Sequence, residues 1–219
     1  MVYWILQFFC STSFANQPLP NYHSIKTKFG GETYIELIKN AVHRYRTTKL
    51  RISAHDFEIE RGRYSNIPRE ERICRWCSHT LGKKVTEDEA HVLYQCDLYA
   101  DARNKLINSI KRAPSNTEVG RHITTNFNFN NLSKTFMTLL SPFTNTANNS
   151  PELVTCESFN LIHSLPNTND PTFNSLLELR SYITKFACEY INRCFEKRLK
   201  FIEETTKSKL TSLVIILSR

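Results

Sequence analysis

Two cysteines two residues apart, followed at short range by a histidine and a third cysteine, constrain this chain more than any other feature. The run is Cys74-Arg75-Trp76-Cys77, thirteen residues, His91, four residues, Cys96, or C-x2-C-x13-H-x4-C. Thiolate and imidazole donors in a set of four suit a tetrahedral zinc ion, so Zn2+ is the expected cofactor and Cys74, Cys77, His91 and Cys96 its ligands. Two intervening residues let a tight turn aim both sulfurs of the first pair at one point. A closed set of four leaves no position for water, which makes the expected site structural and not catalytic. His79 is the rival imidazole, but Cys77-Ser78-His79 is too tight for easy tetrahedral closure. The competing reading is that these are ordinary buried cysteines and a core histidine. A C-x2-C alone would not decide between them; the added histidine and third cysteine favour metal.

The spacing also constrains the local chain. Thr86-Glu87-Asp88-Glu89 opens a short helix, with acids where the helix dipole favours them. His91 would lie on it. Cys96 follows five residues later, about 140° further round an ideal helix, so the helix must stop near Tyr94 or Gln95 for Cys96 to fold back. Asp97 can then cap a helix over Leu98–Arg112 with the stripe Leu98, Ala102, Leu106 and Ile110. Pro114 ends it.

Upstream, Tyr34, Leu37, Ile38, Ala41 and Tyr45 recur at helical spacing. Phe57 and Ile59 alternate with charges, a short strand signal. Far downstream, Leu176, Leu179, Ile183, Ala187, Tyr190, Ile191 and Cys194 mark one face of a long helix. The expected fold is mainly α with a small zinc knuckle, at most one short β-hairpin, and a long C-terminal helix. The expected organisation is an irregular extension over 1–30 and a helical, zinc-binding module over 31–112. An Asn-rich loop region over 113–172 follows, with one short helix at 132–140. An amphipathic helix over 173–205 and a tail over 206–219 complete it.

The seven cysteines are an odd number with one tight pair, a poor disulfide framework and a better metal framework. Cys10, Cys156, Cys188 and Cys194 are left as free thiols, the last two packed in or beside the core of the long helix. Reduced thiols point to the nucleus or cytoplasm. The apolar start Met1–Cys10 and the small-residue Ser13-Phe14-Ala15 leave export through residues 1–15 as a lesser alternative, weakened by the lack of a preceding Lys or Arg. No run approaches ~18 apolar residues, so no membrane partner is expected.

The run Leu50-Arg51-Ile52-Ser53-Ala54-His55-Asp56-Phe57-Glu58-Ile59-Glu60-Arg61-Gly62-Arg63-Tyr64 leads through Glu71-Arg72-Ile73-Cys74 to Cys96-Asp97-Leu98-Tyr99 and Arg103. This stretch, roughly 43–110, resembles the region that follows the polymerase domain in reverse transcriptases of non-LTR (LINE-type) retrotransposons. That region carries an R-x-S-x-H-x-L/F-x-I-E-x-G-R-Y block, a C-x2-C, an acidic H-x4-C and a following P-L-Y…R helix. Asp97 stands where the family usually has proline; either residue starts a helix. The resemblance implies binding of element RNA or target DNA beside a polymerase domain, which would be a partner. It does not bring the polymerase's own chemistry, since Tyr99-Ala100-Asp101-Ala102 lacks the second aspartate of a Tyr-x-Asp-Asp signature. The expectation is a non-enzymatic C-terminal fragment, or stand-alone remnant, of such a protein.

Charge placement agrees with a polyanionic partner. From His23 to Lys84 there are 14 basic and 7 acidic residues, nearly all of the chain's net +8. Arg44, Arg46, Lys49, Arg51, Arg61, Arg63, Arg69 and Arg75 are the candidate nucleic-acid contacts, interleaved with Tyr45, Tyr64 and Trp76. Arginine forks hold phosphate, and exposed aromatic faces stack unpaired bases, so RNA or single-stranded DNA is the expected ligand. The rival readings are that Trp76 covers the sulfurs, Tyr45 faces the core and Arg61 pairs with Glu58 or Glu60. Two other functions compete. One is a structural or protein-interaction zinc module without nucleic-acid binding. The other is a hydrolase using His55, Asp56 and Glu58 or Glu60, for which an H-x2-E without a second histidine is weak support; the plainer role for His55 is to brace the knuckle.

Overall fold

A computed structural model describes residues 33–113, 116–127, 139–140 and 173–217. The architecture is helical: α1 (Thr33–Leu37), α2 (Ala41–Arg51), α3 (Glu58–Tyr64), α4 (Arg75–Leu81), α5 (Ala100–Lys111), α6 (Glu118–Asn126) and α7 (Phe173–Leu217). Among the described residues there is no strand. An isolated antiparallel bridge joins Ile73 to Thr86, within the allowance of one short hairpin.

The 45-residue α7 organises the molecule. It packs against α1, α2, α5 and α6 and against the turns on either side of Cys96. Its buried face carries Leu179, Ile183, Ala187, Tyr190, Ile191 and Cys194, as the apolar spacing requires; Leu176 is half-buried. Cys188 and Cys194 are both buried free thiols. Two tyrosine hydroxyls fasten α7 to the rest: Tyr190 Oη donates to the Leu93 carbonyl at 2.6 Å and Tyr182 Oη to the Ser109 carbonyl at 2.9 Å. Neither Gly nor Pro interrupts residues 173–217. The backbone therefore stays helical to Leu217, past the expected end at 205 and through most of the expected tail.

Several local expectations are corrected. The single helix read across Glu32–Tyr45 is two helices, because Asn40 caps the second: its Oδ1 accepts from Val42 N at 2.9 Å and His43 N at 3.3 Å. The break rotates the second helix, so Tyr45 points outward at 59% exposure rather than to the core. The strand signal at Phe57–Ile59 is the start of α3, with Phe57 extended at its N-cap and Glu58 and Glu60 in the first turn. Residues 113–131 are not all loop. Thr117 Oγ1 accepts from Gly120 N at 3.1 Å and starts α6, whose Val119 and Ile123 are buried together with Phe127. Asp97 does not cap through its side chain; it opens a 3-10 turn (Asp97–Tyr99) that runs into α5. Of the expected helix at 132–140, Leu139 and Leu140 are described, and both are fully buried. The expected irregular extension over 1–30, the free thiols Cys10 and Cys156 and most of the expected Asn-rich loop fall on 1–32, 128–138 and 141–172, outside the described residues.

Candidate metal centre

Cys74, Cys77, His91 and Cys96 come together, with ligand atoms all within 4.8 Å of one another and every residue buried. Cys77 Sγ lies 3.7 Å from Cys96 Sγ and 3.4 Å from His91 Nε2, and Cys74 Sγ lies 3.9 Å from Cys96 Sγ. Metal–sulfur bonds of ~2.3 Å in a tetrahedron put neighbouring sulfurs ~3.8 Å apart. The cluster therefore has the size of one tetrahedral ion's ligand sphere and could hold a metal ion. His79 is exposed and outside it, edge-on to Phe201 at 6.1 Å between ring centroids.

Each ligand is placed by a simple local device. Cys74 is extended at the N-cap of α4, and Cys77 sits in that helix's first turn. Gly82 ends α4 at φ 66°, a left-handed position suited to glycine. The chain then reverses, and Cys74 N–H donates to the Val85 carbonyl at 2.7 Å while Glu87 N–H donates to the Arg72 carbonyl at 2.8 Å. Asp88 Oδ1 accepts from His91 N at 2.8 Å and starts the next turn.

That turn, His91–Gln95, is π-helical. Cys96 N–H donates to the His91 carbonyl, five residues back, at 2.8 Å. A five-residue interval that misaligns two side chains on an α-helix is closed by one i→i+5 hydrogen bond. Cys96 then turns extended, with ψ 127°. The expected stop near Tyr94 or Gln95 falls at Gln95; the widened turn that makes it work is a feature periodicity does not reveal.

The sulfurs are electrostatically coupled. A hydrogen bond from the Cys96 thiol, the largest influence, holds Cys74 down to about 4 against the opposing effect of burial. Burial and the negative Cys74 push Cys77 up to about 11. Cys96 is raised by its bond to Cys74 and by burial. His91 is pulled down by burial but raised overall by the Cys74 sulfur. One negative sulfur thus suppresses ionisation of its neighbours, the response of like charges crowded in a dry space. A divalent cation among them would reverse it. His91 Nδ1 is buried without a hydrogen-bond partner, so Nε2 is the nitrogen presented to the sulfurs.

Around the ligands lies a polar layer that sequence reasoning missed. Arg198 of α7, 4% exposed, meets Glu87, 3% exposed, through Nε and Nη2 at 2.8–3.2 Å. Glu87 Oε2 also accepts from Glu58 N at 2.7 Å. Nothing in the local sequence signals a pair 111 residues apart. His55, 2% exposed, meets Glu89 through Nε2 at 3.0 Å and so braces the segment entering His91. The proposed hydrolase set does not assemble: Glu58 meets Arg61, Arg75 and Arg198, Glu60 meets Arg63, and Asp56 is exposed.

The candidate nucleic-acid residues have mixed fates. Arg51 is 5% exposed, its guanidinium 5.4 Å from the Tyr34 ring, and this burial removes it from the surface set. Arg44 Nη1 donates to the Ile38 and Lys39 carbonyls at 2.5 and 2.8 Å, closing the end of α1. Arg46 reaches Asn192 Oδ1 at 2.5 Å and Glu196 at 3.3 Å on α7. Lys49 lies over the Tyr45 ring. Arg63 is held by Glu60 at 2.6 Å and stacks on Tyr64. Arg61, Arg69 and Arg75 keep exposed side chains while meeting Glu58, Asp88 and Glu58 respectively.

Comparison with protein-family models, with curated proteins and with solved structures finds no match. No helix among the described residues is long and apolar enough to cross a membrane.

Proposed function

We propose that this chain is a zinc-braced module that binds RNA or single-stranded DNA, of the kind that follows the polymerase domain in LINE-type reverse transcriptase proteins. The observation that carries the reading is the buried Cys3His cluster, whose 3.7–3.9 Å sulfur separations match tetrahedral zinc. Zinc bound there would hold α4 to the π-turn and supply folding energy, with no open position for a substrate. A thiolate site fits the reducing nucleus or cytoplasm.

The surface beside it supports the ligand. Arg61, Arg69 and Arg75 side chains are 46%, 64% and 50% exposed. Of their ion pairs, that of Arg69 with Asp88 is the most exposed, and surface pairs are worth only ~0–1 kcal/mol, so a phosphate can compete for it. Tyr64 is 70% exposed with the Arg63 guanidinium 4.5 Å from its ring, an aromatic face backed by charge.

Titrating the zinc-loaded full chain into labelled single-stranded RNA or DNA across a salt series tests this. Three phosphate contacts, one for each of Arg61, Arg69 and Arg75, would give a slope of log K against log salt of roughly −2. Absence of binding at low salt, with zinc in place, would sink the reading. The alternative, an interaction module without nucleic acid, draws on α7 beyond Arg198, where Leu199 is 44% exposed and Glu203, Glu204, Thr206 and Lys207 face solvent. It predicts a concentration-dependent oligomer by light scattering instead.

A further inference from the structure

A second concavity, of about 190 Å³, opens between α2 and α7 and contains none of the four clustered ligands. Its floor is made by Phe57 and Phe195, both buried, with ring centroids 5.1 Å apart. One wall is the exposed ring of Tyr45, and the exposed Leu199 lines it as well. Lys49, Arg46 and the buried Arg198 are the cations in its lining; the Lys49 ammonium lies 5.0 Å from the Tyr45 centroid. The volume is below the ~300–1,000 Å³ of pockets for drug-sized ligands and suits a single flat ring system.

We infer that this pocket receives one unpaired nucleobase of a bound single strand, stacked on Tyr45, with the adjoining phosphate on Lys49 and Arg46. The inference rests on the nucleic-acid reading above and deepens it by giving the bases, and not only the phosphates, a place. Three features favour this occupant. Aromatic walls with a cationic rim match a planar π-face that carries a phosphate. Lys49 already lies over the Tyr45 ring, so a base stacking on the opposite face would meet a ring that its own phosphate's partner adjoins. Asp56, the one acid in the lining, is exposed and offers an acceptor to a base amino group such as cytosine N4.

The test uses the zinc-loaded full chain and two labelled strands of about 12 nucleotides. One is oligo(dC); the other is an abasic strand of equal charge. Tyr45 is exposed on α2, so its replacement leaves the core intact, checked by circular dichroism and zinc content. Tyr45→Ala should weaken oligo(dC) binding about 5- to 150-fold, the loss of one base–aromatic stack, and leave the abasic strand unaffected. Tyr45→Trp should restore it. If oligo(dC) binds and Tyr45→Ala changes nothing, or weakens both strands equally, the pocket assignment is overturned while nucleic-acid binding stands. If neither strand binds the wild-type chain at low salt, both fail.

Discussion

Replacing Arg198 by Met tests how the segment that carries the candidate metal ligands is held to the long helix. Arg198 and Glu87 are 4% and 3% exposed and joined through Nε and Nη2 at 2.8–3.2 Å. Methionine keeps much of the side-chain volume and removes the charge. Glu58 retains Arg61 and Arg75, but Glu87 is left buried with the Glu58 backbone N–H donating to it. Breaking a buried pair from one side costs ~3–5 kcal/mol, because the surviving charge stays desolvated. At 2–4 °C per kcal/mol for a chain of this size, the melting temperature should fall by about 6–20 °C. The loss should depend on pH. Burial already raises the Glu87 carboxyl above its usual value, and Arg198 opposes that rise. Without Arg198 the folded-state value climbs further above the unfolded one. A carboxyl raised on folding takes up its proton in the folded state first, so stability returns as pH falls through that raised value and is lost as pH rises through it. The variant's deficit relative to wild type should therefore shrink from neutral towards mildly acidic pH, measured by calorimetry with zinc content followed in parallel. Adding Glu87→Gln should recover part of the stability and flatten the pH term. A loss under about 1 kcal/mol with no pH dependence would mean the pair behaves like a surface contact, and the reasoning would be wrong.

Metal removal should act on the same unit. Cys77→Ser, or a strong chelator, should abolish stoichiometric zinc and unfold the segment around α4 and the π-turn; structural zinc contributes ~10–16 kcal/mol in finger peptides. His79→Ala should retain one equivalent by metal analysis, whereas His91→Ala should not; the reverse result would reassign the imidazole. Gly62→Ala should lower stability by about 1–3 kcal/mol in denaturant titration, through overpacking. An added Cβ would meet Arg72 Cγ at 2.5 Å, and Arg72 cannot swing away without losing its bonds to the Ile67 and Ile59 carbonyls at 2.8 and 2.9 Å. A neutral Gly62→Ala would show that this close approach is not rigid.

The four clustered residues were legible because metal-ligand geometry acts through short intervals of sequence, and the intervals survive without knowledge of the fold. The buried face of α7 was legible for a related reason: a long run averages over local exceptions. Short segments failed where one capping side chain decided the outcome. Asn40 split α1 from α2 and turned Tyr45 outward, while Thr117 nucleated a helix in a stretch whose polar composition read as loop. Val119, Ile123 and Phe127, four apart, were the missed signal for α6. The alternation at Phe57 and Ile59 was too short to separate a strand from a helix start. Charge counting marked the basic half of the chain but not which cations face water: Arg51 is inside, and Arg44 serves the end of α1.

The ion pair from Glu87 to Arg198 bears on what a metal ion in the Cys3His cluster would be for. The segment from Ile73 to Cys96 has one bridge, one short α-helix and a π-turn, too little apolar surface to stand as a core of its own. Its buried residues Val92, Leu93 and Cys96 belong to the same cluster as Ile183, Ile191 and Phe195 of α7. Tyr190 reaches the Leu93 carbonyl inside the π-turn, and Arg198 reaches Glu87 just before it. A metal ion fixing His91 and Cys96 would thus fix the surface on which α7 docks. The docked helix in turn carries Phe195 and Leu199 to the Tyr45 pocket. Metal binding and the proposed base site are therefore linked through α7 and not through direct contact, and loss of zinc should loosen a pocket whose lining contains no zinc ligand.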